Sequence, residues 1–387
     1  MKHSSTSGYN IYSSRRRNQT KRRNFVIICL AICMCCVISD IIFISKLISM
    51  KEEAPETKAS TVATSGSETD ASGNLISLDT SASSEEAPTT ETTPVSKTQT
   101  VDAATRSTNL SALQTKISDY LSKQSGRYSV YYINMNNNET LGYKESQPIV
   151  AASSIKLAYN TYLYEKAEAG ELKLDEKMAY KATGYVDGVQ GGDLESGTGT
   201  IQNSADGTEY TLQQVSHLAI TISDNCGNNM VIRRLGGEDS INNNFFKTIS
   251  SVVDYRGVST YTDYTGAEKS GRRRTSAMDL AKYAEHLYND YKKNPEHYGP
   301  LIDDLCNTEY SWGVAGGIPK DEKGKTIIPV AHKVGFRGDT YNDLGIVFGT
   351  EDYVLALMTE SGDAVRAKSI MGEVSKMIYE YIESNYA

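Results

Sequence analysis

The chain has 387 residues, which is enough for one large domain or two modest ones. It carries 40 lysines and arginines against 48 aspartates and glutamates, a net charge of −8, and its dense basic cluster is confined to residues 15–23. A globular surface that binds nucleic acid needs a basic face, so this charge distribution argues against nucleic-acid binding.

The N-terminal part divides by composition into three segments. Residues 1–24 are a basic tail, which we expect in the cytoplasm, and residues 25–45 are apolar over a length that suits a membrane-spanning helix. A cleaved signal peptide is the alternative, but no small-residue cleavage site follows the apolar run directly. Residues 46–108, rich in Ser, Thr and Glu, predict a disordered linker. The pattern therefore predicts a single-pass cell-membrane anchor with the following domain outside the cytoplasm.

Residues 109–387 have the pattern of a globular domain whose two ends form one sheet. An amphipathic helix around residues 110–121 precedes strands at 128–135 and near 141–143. At the other end, three strand-like runs at 326–336, 343–348 and 353–359 precede a helix that carries Ile370, Val374, Ile378 and Tyr381 on one face. We expect an α/β fold in which both chain ends build a five-stranded antiparallel sheet flanked by helices.

The stretch between these ends, about residues 150–310, is mostly helical by pattern. One helix begins near Ser153 and stops at Gly170, and another begins at Thr211, where Gln214 completes a capping-box pattern. A further helix begins at Ser276. The sequence therefore predicts an all-α subdomain inserted into the sheet region, and a cleft between the two is a natural place for a site.

Three short motifs stand in these contexts: Ser153-Ser154-Ile155-Lys156, Ser223-Asp224-Asn225 and Lys333-Val334-Gly335. Each alone has an ordinary structural interpretation. Ser153 also fits a helix cap, Lys156 a solvated lysine, residues 223–225 a polar turn, and Lys333 a charged edge-strand residue. The conjunction of all three is far more specific than any one of them.

The chemistry of the first and third motifs is compatible with nucleophilic catalysis. Residues three apart share a helix face, so the Ser153 hydroxyl and the Lys156 amine can meet. A serine becomes a good nucleophile when a base takes its proton, and a lysine serves as that base when its pKa is lowered. We expect burial and a second cation, Lys333, to lower the pKa of Lys156.

With these motifs, residues 109–387 resemble the class A β-lactamases and the related penicillin-binding proteins, which carry S-x-x-K, S-D-N and K-T-G. The segments 219–229 and 315–335 extend the resemblance. It implies a serine hydrolase that forms an acyl-enzyme with β-lactams or related cell-wall amides. The resemblance implies that Ser153 is the nucleophile and Lys156 the base, and that Ser223 relays a proton to the leaving nitrogen beside Lys333. It also implies that Asn225 binds the substrate's amide side chain and that the N–H groups of Ser153 and Phe336 form the oxyanion hole. Val334 and Gly335 would belong to the substrate-binding strand, where Gly335 leaves room for a substrate backbone.

The sequence departs from that family in two places. Val334 replaces the threonine of K-T-G, and Arg337 or Thr340 is a candidate to hold a substrate carboxylate instead. The E-x-x-L-N motif, whose glutamate activates the deacylating water, is missing, and Asp254, Asp263 and Glu268 lack the expected neighbours. The chain is therefore expected to deacylate slowly. A DD-peptidase-like enzyme, a low-turnover penicillin-binding or sensing domain, and a structural surface protein remain alternatives.

Metal and cofactor sites are not expected. The five histidines form no H-E-x-x-H or similar spacing, and no phosphate loop or G-x-S-x-G elbow occurs. His217 and His332 are interpreted as structural or exposed, and Asp224 as a residue that ties its own turn together. Cys226 and Cys306 are the two cysteines of the domain, and two buried free thiols are favoured over a disulfide.

Overall fold

The computed structural model describes residues 101–386, so the basic tail, the predicted membrane anchor at 25–45 and nearly all of the predicted linker lie outside the described residues. Within 101–386, no helix combines the length and the apolar character needed to cross a membrane. The first helix begins at Ala103, earlier than the domain start expected at residue 109. The Asp102 carboxylate explains this start, because it accepts hydrogen bonds from the N–H groups of Ala104 and Thr105 and so caps the helix.

The described residues contain both β-strands and α-helices. The β-strands, numbered in chain order, are β1 Arg127–Asn134, β2 Thr140–Tyr143, β3 Ile149–Val150, β4 Lys177–Ala179, β5 Tyr185–Val186, β6 Gln190–Gly191, β7 Glu209–Thr211, β8 Ser259–Thr262, β9 Glu268–Gly271, β10 Arg274–Thr275, β11 Val330–Arg337, β12 Thr340–Val347 and β13 Tyr353–Glu360. The α-helices are α1 Ala103–Ser122, α2 Lys156–Glu168, α3 Leu212–Thr221, α4 Asn225–Arg234, α5 Glu238–Ile241, α6 Lys247–Ile249, α7 Ala277–Lys293, α8 Pro295–Cys306 and α9 Ala364–Tyr386.

The predicted five-stranded antiparallel sheet is confirmed. Its strand order is β11-β12-β13-β1-β2, so strands from the two ends of the domain meet where β13 pairs with β1. The central strand β13 is buried on both faces: Val354, Ala356 and Met358 face one core, and the alternate residues face the other. Strand β11 lies at the sheet edge, which leaves one side of its backbone free to meet other parts of the chain.

Helices cover both faces of the sheet. The long terminal helices α1 and α9 pack on one face through apolar residues at helical spacing, among them Ile117, Ile370, Val374 and Ile378. The helices of the inserted region pack on the other face and form the larger core. The inserted region therefore forms one helical layer on the sheet, and the terminal helices form the other.

The inserted region contains the predicted helices and, in addition, short strand pairs that the sequence pattern does not indicate. The capping box at Thr211 and Gln214 is present with both hydrogen bonds, and the Ser276 hydroxyl accepts from the N–H of Asp279. The pairs β4–β7, β5–β6 and β8–β9 are each two to four residues long per strand, too short to produce a clear period-2 pattern. Cys226 and Cys306 are unlinked thiols, the first buried and the second only partly buried.

Candidate active site

The turn that carries Ser153 is a short 3-10 segment, Ala152–Ile155, and α2 begins only at Lys156. Ala152 has φ of 49°, a left-handed conformation that is costly for a residue with a side chain. Ser154 is buried, and its hydroxyl donates to the carbonyl of Ala151 over 2.6 Å. Ser153 is only half-buried and lines a cavity, so it is the serine of this motif that a ligand can reach.

Strand β11 packs directly against this turn at Gly335. A Cβ atom on Gly335 would lie 2.4 Å from the N atom of Ser154 and 2.9 Å from that of Ser153. The interpretation that Gly335 leaves room for a substrate backbone is therefore wrong, because the backbone of the serine turn occupies that space. Only glycine allows the edge strand to approach the serine so closely.

Lys156 is buried and points to the Ser223-Asp224-Asn225 turn. Its Nζ donates to the Ser223 carbonyl over 2.7 Å and to Asn225 Oδ1 over 2.8 Å, and it lies 3.4 Å from Ser223 Oγ. Burial lowers the pKa of Lys156 to about 8, although the charges of Asp224 and Glu195 oppose the shift. This amine can therefore lose its proton far more easily than a surface lysine.

Lys333 is the second buried lysine of the site. Its Nζ donates to the carbonyl of Val334 over 3.1 Å, and the Tyr310 ring lies 5.7 Å away. Burial, followed by repulsion from the charge on Lys156, holds the pKa of Lys333 well below the ordinary lysine value. The second cation was expected to lower the pKa of Lys156. In the structure burial is the main cause at Lys156, and the repulsion is felt at Lys333.

The Ser223-Asp224-Asn225 turn links α3 to α4 and fixes one wall of the cavity. Ser223 has φ of 59°, so a second residue of the site occupies the left-handed region. The Asp224 carboxylate accepts from the N–H groups of Gly227, Thr200 and Ile201 over 2.6–2.9 Å. Asp224 thereby ties the loop before α3 to the start of α4, which agrees with its interpretation as a structural residue.

The cavity between α2, α4 and the edge strand has a volume of about 410 Å³. Of the predicted site residues, Ser153, Lys156, Asn225 and Phe336 line it, as does Arg337. Ser223, Lys333, Val334 and Gly335 are buried and are not on its wall. Val334 is fully buried, so its side chain is not available to a ligand, and Thr340 is likewise buried away from the cavity.

The sequence model of the β-lactamase enzyme family matches residues 112–382. The chain belongs to the β-lactamase enzyme family. The match spans the sheet, the inserted helices and all three motifs. Comparison with curated protein sequences returned no match.

Solved structures support the same assignment. The structure of PBP-A is 26% identical with a TM-score of 0.58, and covers 71% of this chain and 97% of its own. A mutant of PBP-A, described as an acyl-enzyme complex with penicillin G, is 25% identical with a TM-score of 0.57, at the same coverage. The TLA-1 extended-spectrum β-lactamase is 17% identical with a TM-score of 0.56, over 70% of this chain and 99% of its own, and shows the shared fold.

Acidic residues near the cavity are candidates for a general base, and they come from several elements. From the loop at residues 250–275, Tyr255 and Arg273 line the cavity, and no acidic residue of that loop does. Asp254 pairs with Lys247 at 3.0 Å, Asp263 accepts from backbone N–H groups within its own turn, and Glu268 is exposed. None of these three candidates reaches the site.

Two acidic residues from other elements do line the cavity, and the sequence patterns did not reveal either. Glu238, at the start of α5, is 3% exposed, and both its oxygens are occupied. Oε1 accepts from Tyr185 Oη and forms an ion pair with Arg273 Nη2, at 3.0 Å each, and Oε2 accepts from Arg273 Nε and from Arg256 Nη1. One hydroxyl and two guanidinium groups therefore hold both oxygens of Glu238 within the chain.

Glu195 is the other acidic residue on the wall, and it is exposed. Its Oε2 accepts from Asn229 Nδ2 over 3.1 Å. Asn229 belongs to a set of residues that line the cavity from one face of α4, namely Asn225, Asn228, Asn229 and Ile232. Their helical spacing is a signal from which the sequence could have predicted this part of the cavity wall. The partners of these side chains depend on segments distant in sequence, which no local pattern reveals.

The histidines of the described residues have structural partners. His332 Nδ1 lies 2.9 Å from Asp343 Oδ2 inside the sheet, and His217 Nδ1 lies 2.7 Å from Asp304 Oδ1 near the surface. Across residues 101–386 there is no group of three metal-ligating side chains suited to an ion.

Proposed function

We propose that this protein is an acyl-serine enzyme that reacts with β-lactams or with related cell-wall amides. In this reaction Ser153 Oγ attacks the carbonyl carbon, and the neutral amine of Lys156 accepts the hydroxyl proton. The carbon–nitrogen bond then breaks, and Ser223, which lies 3.4 Å from Lys156 Nζ, relays the proton that Lys156 accepted to the leaving nitrogen, so that Lys156 is neutral again. The observation that carries this proposal is that the accessible Ser153 and the buried amine of Lys156 line the same cavity one helical turn apart, and burial lowers the pKa of Lys156 to about 8.

Two N–H groups are suited to stabilise the oxyanion, those of Ser153 and Phe336. Strands β11 and β12 are joined by the two residues 338 and 339, so Arg337 and Thr340 form the closing pair. Phe336 occupies the next, non-hydrogen-bonded position, where the N–H of an edge strand points away from its neighbour. A Cβ atom on Gly335 would lie only 2.9 Å from the N atom of Ser153, so this part of β11 lies against the turn of Ser153.

Arg337 is our candidate for the cation that meets a substrate carboxylate in place of the missing threonine. It is exposed, follows Phe336 directly and lines the cavity. Guanidinium groups match a carboxylate with two parallel hydrogen bonds. Thr340, the other candidate, is buried and lies away from the cavity.

Slow hydrolysis of the acyl-enzyme is the second part of the proposal. The loop at 250–275 contributes Tyr255 and Arg273 to the cavity but no carboxylate, and both oxygens of Glu238 are held by Tyr185, Arg256 and Arg273. Glu195, the other acidic residue on the wall, comes from a different segment and accepts from Asn229 Nδ2. These contacts favour a peptidase-like or penicillin-binding and sensing role over a fast β-lactamase. The peptidase-like or sensing role is therefore the second candidate function.

The test incubates the full chain, purified in detergent, with a labelled penicillin and follows intact mass. We expect one adduct per chain that persists after the free penicillin is removed. Ser153→Ala should give no adduct, whereas Ser154→Ala, which changes a buried neighbour with a structural hydrogen bond, should still give one. Rapid loss of the adduct would favour a β-lactamase, and an adduct in Ser153→Ala would disprove the nucleophile assignment.

We also propose that residues 25–45 anchor the chain in the cell membrane with the N-terminus in the cytoplasm. The apolar run and its preceding basic cluster support this orientation. Protease added to intact cells should remove residues 101–387 and leave the basic tail protected. Recovery of the whole domain in the soluble fraction would contradict the proposal.

A further inference from the structure

The segment at residues 193–198 runs beside the first turns of α4 and forms part of the cavity wall. The Thr198 carbonyl accepts from the N–H of Asn225 over 3.0 Å, and the Glu195 carboxylate accepts from Asn229 Nδ2 over 3.1 Å. Asn229 follows Asn225 by four residues, so it lies one helical turn, or about 6 Å, further along α4. The wall therefore places Glu195 about one turn beyond Asn225.

Buried contacts with α4 fix the position of Glu195. Arg233 donates to both oxygens of the buried Asp193, over 2.8 and 2.9 Å, and Asn229 Nδ2 donates to the Asp193 carbonyl as well as to Glu195. The Sγ atom of Cys226 lies 3.5 Å from the N atom and 3.6 Å from the O atom of Glu195. The carboxylate is therefore held in place before any ligand arrives, which lowers the entropic cost of binding.

One oxygen of this carboxylate is available to a ligand. Oε2 accepts the amide hydrogen bond, whereas Oε1 has no hydrogen-bond or ion-pair partner in the described part of the chain. Glu195 is exposed and lines the cavity, so a molecule in the cavity can reach its side chain. Glu238, the other carboxylate on the wall, is buried and paired with Arg256 and Arg273. Glu195 is thus the acidic side chain that can meet a cationic group of a ligand.

We propose that Glu195 binds a primary ammonium group on the acyl side chain of the substrate and so selects acyl groups that end in an amine. The inference rests on the proposed function and on the role that the family resemblance implies for Asn225, which is to bind the amide of this side chain. The spacing of about 6 Å along α4 corresponds to a straight chain of about five bonds between the amide and the ammonium.

The loop beside Glu195 offers further acceptors that suit an ammonium group. An ammonium has three donors and no acceptor. Ser196 and Thr198 also line the cavity, the first exposed and the second partly buried, and each carries a hydroxyl that can accept. Hydrogen bonds between charged groups are stronger than those between neutral ones. A terminal carboxylate would instead be repelled by Glu195, and a neutral end would lack the attraction between charges.

The cations of the cavity have other partners and do not neutralise this carboxylate. Arg273 is paired with the buried Glu238 at 3.0 Å. The amine of Lys156 donates to Asn225 Oδ1 over 2.8 Å, about one helical turn from Glu195. A substrate ammonium can therefore form an ion pair with Glu195 without displacing a cation of the chain.

The experiment compares two penicillins with straight acyl chains of equal length, one ending in an ammonium group and the other in a hydroxyl group. The second-order rate constants for adduct formation are measured with the full chain at low salt. We expect the ammonium compound to react about fivefold faster, the upper range for a partly exposed ion pair. In Glu195→Gln, which keeps the size of the side chain and an oxygen for Asn229, the ratio should fall to about one.

A ratio of two rate constants is used because Glu195 also acts on Lys156. Burial lowers the pKa of Lys156, and the charges of Asp224 and Glu195 oppose that shift. Glu195→Gln therefore changes the acylation rate with both penicillins alike, and this change cancels in the ratio. Salt at about 1 M should reduce the wild-type ratio, because it screens an exposed ion pair, and should leave the ratio of the variant unchanged.

The matched control is Glu268→Gln, which makes the same change at an exposed position away from the cavity wall and should keep the wild-type ratio. Adducts that form equally fast from both penicillins in the wild type would overturn the inference while leaving the proposed function intact. An unchanged preference in Glu195→Gln would overturn it as well.

A second readout does not depend on acylation. Ser153→Ala is mixed with each penicillin, and the shift of its thermal unfolding midpoint is recorded with Glu195 present and in the double variant with Glu195→Gln. A larger shift for the ammonium compound that disappears in the double variant supports the role of Glu195 even if no adduct ever forms at Ser153. Equal shifts for the two compounds overturn the inference.

Discussion

The two sides of the cavity differ in how closely their backbones pack and in which ionisable groups they contain. On one side, β11 and the turn of Ser153 are in van der Waals contact at Gly335, and the two lysines behind them are fully buried. On the other side, the loop at 250–275 offers the Tyr255 ring and the Arg273 guanidinium, while its acidic residues point elsewhere. The comparison agrees with the proposal of acylation at Ser153 followed by slow hydrolysis, because no acidic residue of the loop at 250–275 lines the cavity.

The largest effect should follow from removal of the proposed base. Lys156→Met keeps the length and the burial of the side chain but has no group to accept a proton. We expect the rate of adduct formation to fall by about 10² to 10⁴, the usual contribution of a general base. Stopped-flow or quenched mass measurements check this. Lys166→Met, at the outer end of α2, should stay within about twofold, and an equal loss in both variants would contradict the assignment.

The close approach of β11 should be the next most sensitive feature. Gly335→Ala places a methyl group 2.4 Å from the N atom of Ser154, so either the strand or the turn must move. A displacement of about 1 Å can cost about 10² in rate, and overpacking costs about 1–3 kcal/mol of stability. Adduct formation and chemical denaturation measure the two effects. Gly299→Ala, where an added Cβ meets nothing within 4 Å, should change neither by much.

The sheet and the helix caps were predictable because their signals are local. Alternating residues fix β1 and β13, and Thr211 with Gln214 fixes the start of α3 within four residues of chain. The motif residues were predictable by resemblance, since Ser153, Lys156 and Asn225 do line one cavity. The partners of Glu238 were not predictable, because Tyr185 and Arg273 come from segments distant in sequence.

The role of Gly335 shows a second limit of prediction from the sequence. Its presence beside Lys333 suggested an open space, and the structure fills that space with the backbone of residues 153 and 154. A glycine in a strand indicates that something approaches closely, but the sequence does not say whether it is substrate or chain. Long-range packing decides this, and so it also decides which polar atoms, such as Asn228 Oδ1, are left without a partner.

The side of the cavity without a free base can be tested through Glu238. Glu238→Gln removes a buried charge that pairs with Arg256 and Arg273. We expect about 3 kcal/mol of lost stability, the low end for breaking a buried pair, because Asp187 and Asp239 still pair with Arg256. The lifetime of the acyl-enzyme should stay the same. Urea unfolding and adduct decay measure these two quantities.

The control for Glu238 is Glu285→Gln, which breaks a partly exposed pair with Lys282 and should cost less than about 1 kcal/mol. If the acyl-enzyme of the folded Glu238→Gln variant decays tenfold more slowly than that of the wild type, Glu238 is a working base. The contrast between the two sides of the cavity would then disappear.

The smallest and most gradual effect should be that of pH on acylation. With a folded pKa of about 8, Lys156 is neutral in about a tenth of molecules at pH 7, so the rate should rise about tenfold from pH 6 to 7 and level off above pH 8. Between pH 8 and 10.5, Lys156 binds more protons in the unfolded chain than in the folded chain, because its pKa is lowered by folding. The free energy of unfolding should therefore rise with pH across that window. Rate profiles of the wild type and of Lys156→Met separate this titration from others, because the variant should lose the rise near pH 8. A rise that persists in Lys156→Met would assign the titration to Lys333, whose pKa is also lowered, and would move the base from the helix to the edge strand.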